Sequence, residues 1–206
     1  STRVRSSAAS DVYKRQTYTK IITGEDLMET AQHGSTLYPF QFYYEDLSVF
    51  DFNCIEWHWH TELEFIYIES GTVTLWIGED QFHLTEGNGI FINTKVLHRL
   101  YSPSKALIPN FVFMPSFIAP CDSLIYQKYI LPIISSSLPF LVFHKKVCWQ
   151  AKVLSIMRQI ISAQDSVLSK ELLTSSLLQN LWLEIFENTD ISYQEEHKDH
   201  LSLIHI

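Results

Sequence analysis

Cysteine pairing has almost no material to work with: Cys54, Cys121 and Cys148 are odd in number, far apart and form no C-x-x-C pair. That excludes a disulfide framework and a zinc knuckle, and it fits reduced thiols in a cytosol. Basic residues are also short, 15 Lys and Arg against 23 Asp and Glu, for a formal charge of −8. A general electrostatic grip on nucleic acid or on an anionic membrane needs clustered cations, so neither is expected of this chain. The most apolar stretch, Ile130 to Phe143, is broken by Pro132, Pro139 and the triplet Ser135-Ser136-Ser137. It falls short of the ~20 unbroken apolar residues a membrane helix requires. Residues 1–16 carry charges but no apolar core of a secretory signal, and no solenoid-length repeat is present. A cytoplasmic location with no membrane partner is the expectation.

What is present is apolar mass. Of 206 residues, 46% are hydrophobic and 14% aromatic, enough to bury a core and to exclude global disorder. The two ends stand apart from this. Residues 1–16 have no hydrophobic period, and the run Ser6 to Gln16 looks like translated adapter text; residues 201–206 resemble the same kind of read-through. Both are expected to be non-native tails on a longer natural protein, so Asp11, Lys14 and Arg15 are given no role. The first tail contributes a net +3, which leaves the native-looking remainder at −11.

From Tyr38 onward the chain reads as short strands rich in β-branched and aromatic residues: Tyr38–Tyr44, Ser48–Asn53, Ile55–His60, Glu64–Glu69, Thr72–Ile77, Gln81–Leu84, Ile90–Asn93, His98–Tyr101 and Asn110–Met114. Gly71 and Gly78-Glu79-Asp80 read as hairpin connections. A small antiparallel barrel or sandwich follows. After about residue 147 the period changes. Trp149, Val153, Ile156, Met157, Ile160 and Ile161 form one apolar stripe of a helix. A second helix, from about Lys170 to Phe186, carries leucines around more than one stripe and is expected to be buried on two sides, either by the barrel alone or with one face against a second subunit. The run Glu195 to His200 reads as a solvated linker.

The chemistry concentrates in Trp57-His58-Trp59-His60-Thr61-Glu62-Leu63-Glu64. On a strand, His58 and His60 share a face and Trp57 and Trp59 the other. The imidazoles are expected in the lumen with Glu64 and His98, as a set suited to a divalent transition metal or to hydrogen-bonding a ligand. Trp57 and Trp59 are expected to pack under the C-terminal helices. His83 is read as a packed or surface group, and the aromatic run Tyr38 to Tyr44 as core that could also wall one end of a pocket.

His58-x-His60-x-x-x-Glu64, followed by six residues and Gly71, resembles the downstream half of the first cupin motif, and Glu86-Gly87-Asn88-Gly89 leading to His98 looks like the second. Phe52 stands where the family has a glycine, Thr85 where a proline often precedes the second motif, and Asn93 where a later proline falls; these departures argue against an enzyme. Within cupins, His58-x-His60-x-Glu62-Leu63-Glu64 and Ile92-Asn93-x-x-Val96-Leu97-His98 are similar to the N-terminal domain of AraC/XylS-type transcription regulators. The resemblance runs to about residue 190. It implies a mainly β fold, a cupin jelly-roll barrel followed by a two-helix dimerisation element. The implied division is an arm over 17–37, the effector-binding barrel over 38–146, the helical element over 147–190 and a linker remnant with a non-native tail over 191–206. It also implies a sensor with no catalytic residues, an effector pocket at His58, His60, Glu64 and His98, and a small-molecule effector such as a sugar or other metabolite. The homodimer would form through 147–190, and DNA would be bound only through a C-terminal domain outside this chain. The alternative is a metal-dependent cupin oxygenase or isomerase that uses the same four residues as metal ligands.

Overall fold

A computed structural model describes residues 19–166 and 168–189; the suspected tails and the Glu195–His200 linker lie outside them. Nine strands form two antiparallel sheets. One is ordered β1 (Phe40–Asp46), β8 (Leu107–Phe113), β3 (Leu63–Tyr67), β6 (Gly89–Ile92) and β9 (Phe140–Phe143); the other is β2 (Cys54–His58), β7 (His98–Tyr101), β4 (Thr72–Ile77) and β5 (Asp80–Thr85). Ile55, Leu75 and Leu100 from the smaller sheet meet Ile66, Ile90 and Ile108 from the larger in one core between the sheets. The other face of the larger sheet, with Phe65, Phe91, Phe111 and Phe113, is covered by helices α2 (Cys148–Ala163) and α3 (Lys170–Asn188). A short α1 (Leu131–Ile134) follows a π-helical turn over Tyr126–Ile130. No helix among the described residues is long and apolar enough to cross a membrane.

Strand β3 explains why one sheet needs two cores. All five of its residues are buried, as expected of a strand covered on both faces. Leu63, Phe65 and Tyr67 join the helix-side core, while Ile66 joins the core between the sheets, so the period of two assigns alternate side chains to different layers. Gly89 in β6 lets α2 approach: a Cβ there would stand 2.9 Å from the Ile66 carbonyl oxygen and 3.0 Å from Leu154 Cδ2.

Four expectations need correction. Ser48–Asn53 is not a strand but two 3-10 turns, Leu47–Val49 and Asp51–Asn53. Asp46 caps the first by accepting from the Ser48 N–H at 3.0 Å, and Phe52 and Asn53 sit at φ of 58° and 53°, which an extended strand cannot contain. Phe52, 91% exposed, thus keeps the left-handed backbone that its glycine counterpart in cupins would favour. Gly71 does not join a hairpin, because β3 and β4 belong to different sheets; at φ of 87° it packs where a Cβ would be 2.7 Å from the Lys105 carbonyl oxygen. The Gly78 connection is a hairpin, with Ile77 opposite Asp80.

Trp57 and Trp59 are not under the helices, which cover the opposite sheet. The Trp59 indole donates to the Asp26 carbonyl at 2.9 Å, and its backbone exchanges bonds with Leu27 and Glu29 of the N-terminal arm. Finally, Phe140–Phe143 is a strand that the sequence reading missed. Its pairing with β6 makes it an edge strand of the larger sheet, within a stretch whose Ser and Pro content disguises it. The three cysteines are unpaired. His83 lies on the surface, 3.1 Å from the Thr74 hydroxyl.

Candidate functional site

His58 closes β2, directly opposite His98, which opens β7. The ladder is irregular between Ile55 and His58, and the chain then leaves the sheet, so His60 reaches the lumen from a bend rather than from the strand. Glu64 enters from β3. All four side chains are buried. Ring centroids are 4.1 Å apart for His58 and His98, 5.4 Å for His60 and His98, and 6.0 Å for His58 and His60. The structure therefore brings together the four residues expected from the sequence.

Backbone carbonyls set the tautomers. His58 Nδ1 lies 2.8 Å from the Glu56 oxygen, His60 Nδ1 3.2 Å from the Glu62 oxygen and His98 Nδ1 2.9 Å from the Val96 oxygen. A carbonyl can only accept, so each Nδ1 carries the proton and each neutral ring directs an Nε2 lone pair inward. Glu64 Oε2 faces two of these atoms, 3.1 Å from His98 Nε2 and 3.4 Å from His60 Nε2. A carboxylate oxygen against a lone pair is repulsive unless a cation lies between them.

A proton on His60 meets part of that demand. Burial alone would depress its pKa, but the hydrogen bond and charge of Glu64 outweigh it and raise it. Glu64 is correspondingly held well below the usual carboxylate range: His60 and His98 overcome the opposing effect of burial. His58 goes the other way, driven far down by burial and then by its imidazole neighbour His98, and stays neutral. A divalent metal would meet the same demand. One ligand nitrogen from each of His58, His60 and His98 lies within 4.8 Å of the others, their Nδ1 protons are anchored, and Glu64 adds an oxygen, so the donor set fits such an ion.

These opposed shifts give a pH dependence for the metal-free protein. The unfolded chain takes up a proton at His58 near the ordinary value of 6.5, the native state only far below it, so stability is lost as pH falls through 6.5. His60 has the opposite sign: its contribution is complete below 6.5 and is lost as pH rises through its elevated value. Denaturant midpoints in EDTA should fall on acidification below about pH 6.5, where the His60 contribution is already complete, and His58→Asn should flatten that limb. An unchanged acid limb in the variant would show that His58 is not its source.

His58, His60 and Glu64 form one end of a small pocket of about 30 Å³. Its walls include Tyr43 of β1, from the aromatic run read as core or pocket wall, and residues that the sequence did not point to: Glu29 and His33 from the arm, Glu45 from β1 and Asn110 from β8. His33 Nδ1 is 2.8 Å from the Tyr43 hydroxyl, its Nε2 is 3.3 Å from Glu29 Oε2, and the Asn110 amide donates to Glu45 Oε2 at 2.8 Å. Tyr43 and Glu45 are two apart and share a face of β1, a signal present in the sequence; Tyr43 pairs with Asn110 across the ladder. Nothing local to His33 marks it.

A two-sheet barrel with three imidazoles and a carboxylate in its lumen is a cupin. Residues 42–182 match the family described as the AraC-like ligand binding domain, and the chain belongs to that family. It is 24% identical over 143 residues to the uncharacterized HTH-type transcriptional regulator YdeC of Bacillus subtilis, covering 68% of this chain and 48% of the relative; the chain thus spans about half the length of that relative. Apo ToxT from Vibrio cholerae aligns with a TM-score of 0.53 at 11% identity, over 76% of this chain and 58% of that one. An RmlC-like cupin from Shewanella frigidimarina aligns over 37% of this chain and 67% of its own, at 17% identity and a TM-score of 0.34.

Proposed function

We propose that this effector-sensing domain binds a small molecule in the barrel above His58, His60, Glu64 and His98, and couples occupancy to a homodimer formed through residues 147–190, within a cytoplasmic DNA-binding regulator. The observation that carries the reading is the alternation of β3. Glu64 faces the lumen cluster, and the adjacent Leu63 and Phe65 lie in the core shared with α2 and α3. A ligand that moves Glu64 acts on a strand whose other face the helices cover, and it shifts their arrangement by no more than its differential affinity for the two states. Helix α3 buries Leu178, Leu181, Trp182 and Ile185 but leaves Leu172, Leu173 and Leu183 exposed, which supports a second partner for this helix. In this reading residues 17–37 are an arm, 38–146 the barrel and 147–190 the dimer element, and DNA is contacted by a segment outside this chain.

The test is a thermal-shift screen of small metabolites on residues 17–200 with mass measured in solution. A dimer whose melting temperature rises with one class of metabolite is the expected result; a monomer at high concentration sinks the dimer claim, and a pocket that answers to nothing in the screen sinks the sensor claim.

The metal-compatible donor set favours a second reading, a cupin oxygenase or isomerase. Held by His58, His60, His98 and Glu64, a metal would supply a Lewis acid with open positions for substrate. The protein's own part would be to anchor three neutral imidazoles through their carbonyl-bound Nδ1 protons and to exclude water with the apolar wall of Ile55, Ile66 and Leu100. Stoichiometric iron, manganese or nickel that survives purification and is lost in His58→Ala would favour it.

A further inference from the structure

The pocket wall carries a charge imbalance that neither reading uses. Glu29, Glu45 and Glu64 all line it, and no lysine or arginine is among the lining residues. The Tyr43 hydroxyl feels the resulting field: burial first, and then the negative charge of Glu29, Glu45, Glu64 and Glu62, holds its pKa far above that of an ordinary phenol. The phenol is therefore neutral and available as a hydrogen-bond partner.

A second observation points into the same space. His33 is 6% exposed, and its buried Nε2 has no hydrogen-bond partner: Glu29 Oε2 stands 3.3 Å away without the geometry of a hydrogen bond. Opposite this polar rim, Ile55, Ile66, Leu100 and Ile108 present only hydrocarbon.

The geometry points to a cationic effector: a protonated amine on a short apolar stem, its ammonium between Glu29 and Glu45 beside Tyr43 and His33, its stem against the isoleucine and leucine wall. An ammonium suits the rim because it donates three hydrogen bonds and accepts none, and the rim offers carboxylate, phenol and imidazole acceptors. Protonated His60 is paired with Glu64, so an anionic effector meets the Glu29 and Glu45 carboxylates with no lysine or arginine in the wall to offset them, and it leaves them desolvated. An inorganic cation is the weaker occupant of this rim. Among the described residues the ligating cluster is His58, His60 and His98, and the rim donors are a neutral phenol, a carboxylate engaged by Asn110 and an imidazole tied to Tyr43.

This rests on the barrel being the effector site, and the test separates the two claims. An isosteric series of n-pentylamine, pentan-1-ol and pentanoate is titrated into the purified 206-residue chain by calorimetry and ligand-observed NMR. The expected order is amine first, at least about tenfold tighter than the alcohol, with pentanoate not binding. Glu29→Gln and Glu45→Gln, each with an unchanged far-UV circular dichroism spectrum, should each bring the amine down to the level of the alcohol. If the alcohol or the acid binds as well as the amine, the charge assignment is overturned and the sensor reading stands. Amine binding untouched in both variants, or no binding by any of the three, also overturns the proposal; the sensor reading itself is judged by the metabolite screen. Binding of ZnCl2 or MnCl2 without any amine response, lost in His58→Ala but kept in Glu29→Gln, overturns it in favour of a metal effector.

Discussion

Phe65→Ala is expected to lower unfolding stability by about 3–5 kcal/mol, the range for emptying a fully buried phenylalanine site. Phe65 is 0% exposed, and its ring lies 5.0 Å from that of Phe91, 5.3 Å from Phe111, 6.0 Å from Phe113 and 6.4 Å from Phe143, so rings from three other strands of the larger sheet close on it. The neighbours are anchored in paired strands and cannot collapse into the space, which puts the cost toward the upper end. A domain of this kind has about 5–15 kcal/mol in total, so the substitution removes a large share of it. Denaturant unfolding followed by tryptophan fluorescence measures the change. The control is Phe52→Ala, a solvent-exposed position expected to shift stability by about 0.5 kcal/mol or less. Equal losses at the two sites would mean that Phe65 is not the centre of this core.

The contrast between these two phenylalanines marks what could be read without coordinates. Alternation identifies which residues share a face, and it put His58 and His60 on one face, with Glu64 joined to them from across a short bend and His98 from a later strand. It does not say which of two sheets a strand joins. Trp59 therefore meets the arm instead of the helices, and Gly71 bridges two sheets instead of closing a hairpin. Strand β3 is apolar at four of its five positions, so it shows little alternation. Positions such as Phe52, whose backbone is left-handed despite its aromatic side chain, break the correspondence between composition and conformation. Phe140–Phe143 went unread because strand identity there comes from its partner β6, a non-local contact. The helices were the most legible elements. The stripe from Trp149 to Ile161 falls within Cys148–Ala163, and the Lys170 start of α3 agrees, because a 3.6-residue period sustained over three or more turns has few competing explanations.

The pocket divides in the same way. The motif-borne groups lie low in the lumen, on strand ends whose spacing is local. The rim is assembled from Glu29 and His33 in the arm and from Tyr43, Glu45 and Asn110 across β1 and β8, and only the tertiary fold brings these together. His33 and His60 rings stand 5.6 Å apart, so the rim and the cluster form one continuous polar wall. In the proposed reading, a ligand at the rim would act on Glu64 and, through β3, on the helix-side core. Arg158 of α2 extends that path, lying 5.8 Å over the Tyr67 ring and 3.4 Å from its hydroxyl.

Glu64→Ala carries the second large expected effect, and its size depends on pH in a direction that can be derived. Removing the carboxylate leaves His60 buried with the partner that raised its pKa gone. Where His60 is protonated, the loss is that of breaking a buried ion pair, about 3–5 kcal/mol. The stabilisation from a raised imidazole pKa is complete below the ordinary 6.5 and disappears as pH rises through the elevated native value. The difference between parent and Glu64→Ala should therefore be largest below about pH 6.5 and shrink as pH rises through the elevated native pKa of His60. Glu64→Gln keeps the volume and offers an amide donor to the His60 and His98 lone pairs, so it should cost less at the lower pH while still returning His60 to a depressed pKa. Imidazole titration by NMR reads that reversal directly, and denaturant unfolding at one pH below and one above the raised His60 pKa reads the energies. A Glu64→Ala penalty that is the same at both would show that no proton is shared between Glu64 and His60, and would leave the carboxylate a role in shape alone.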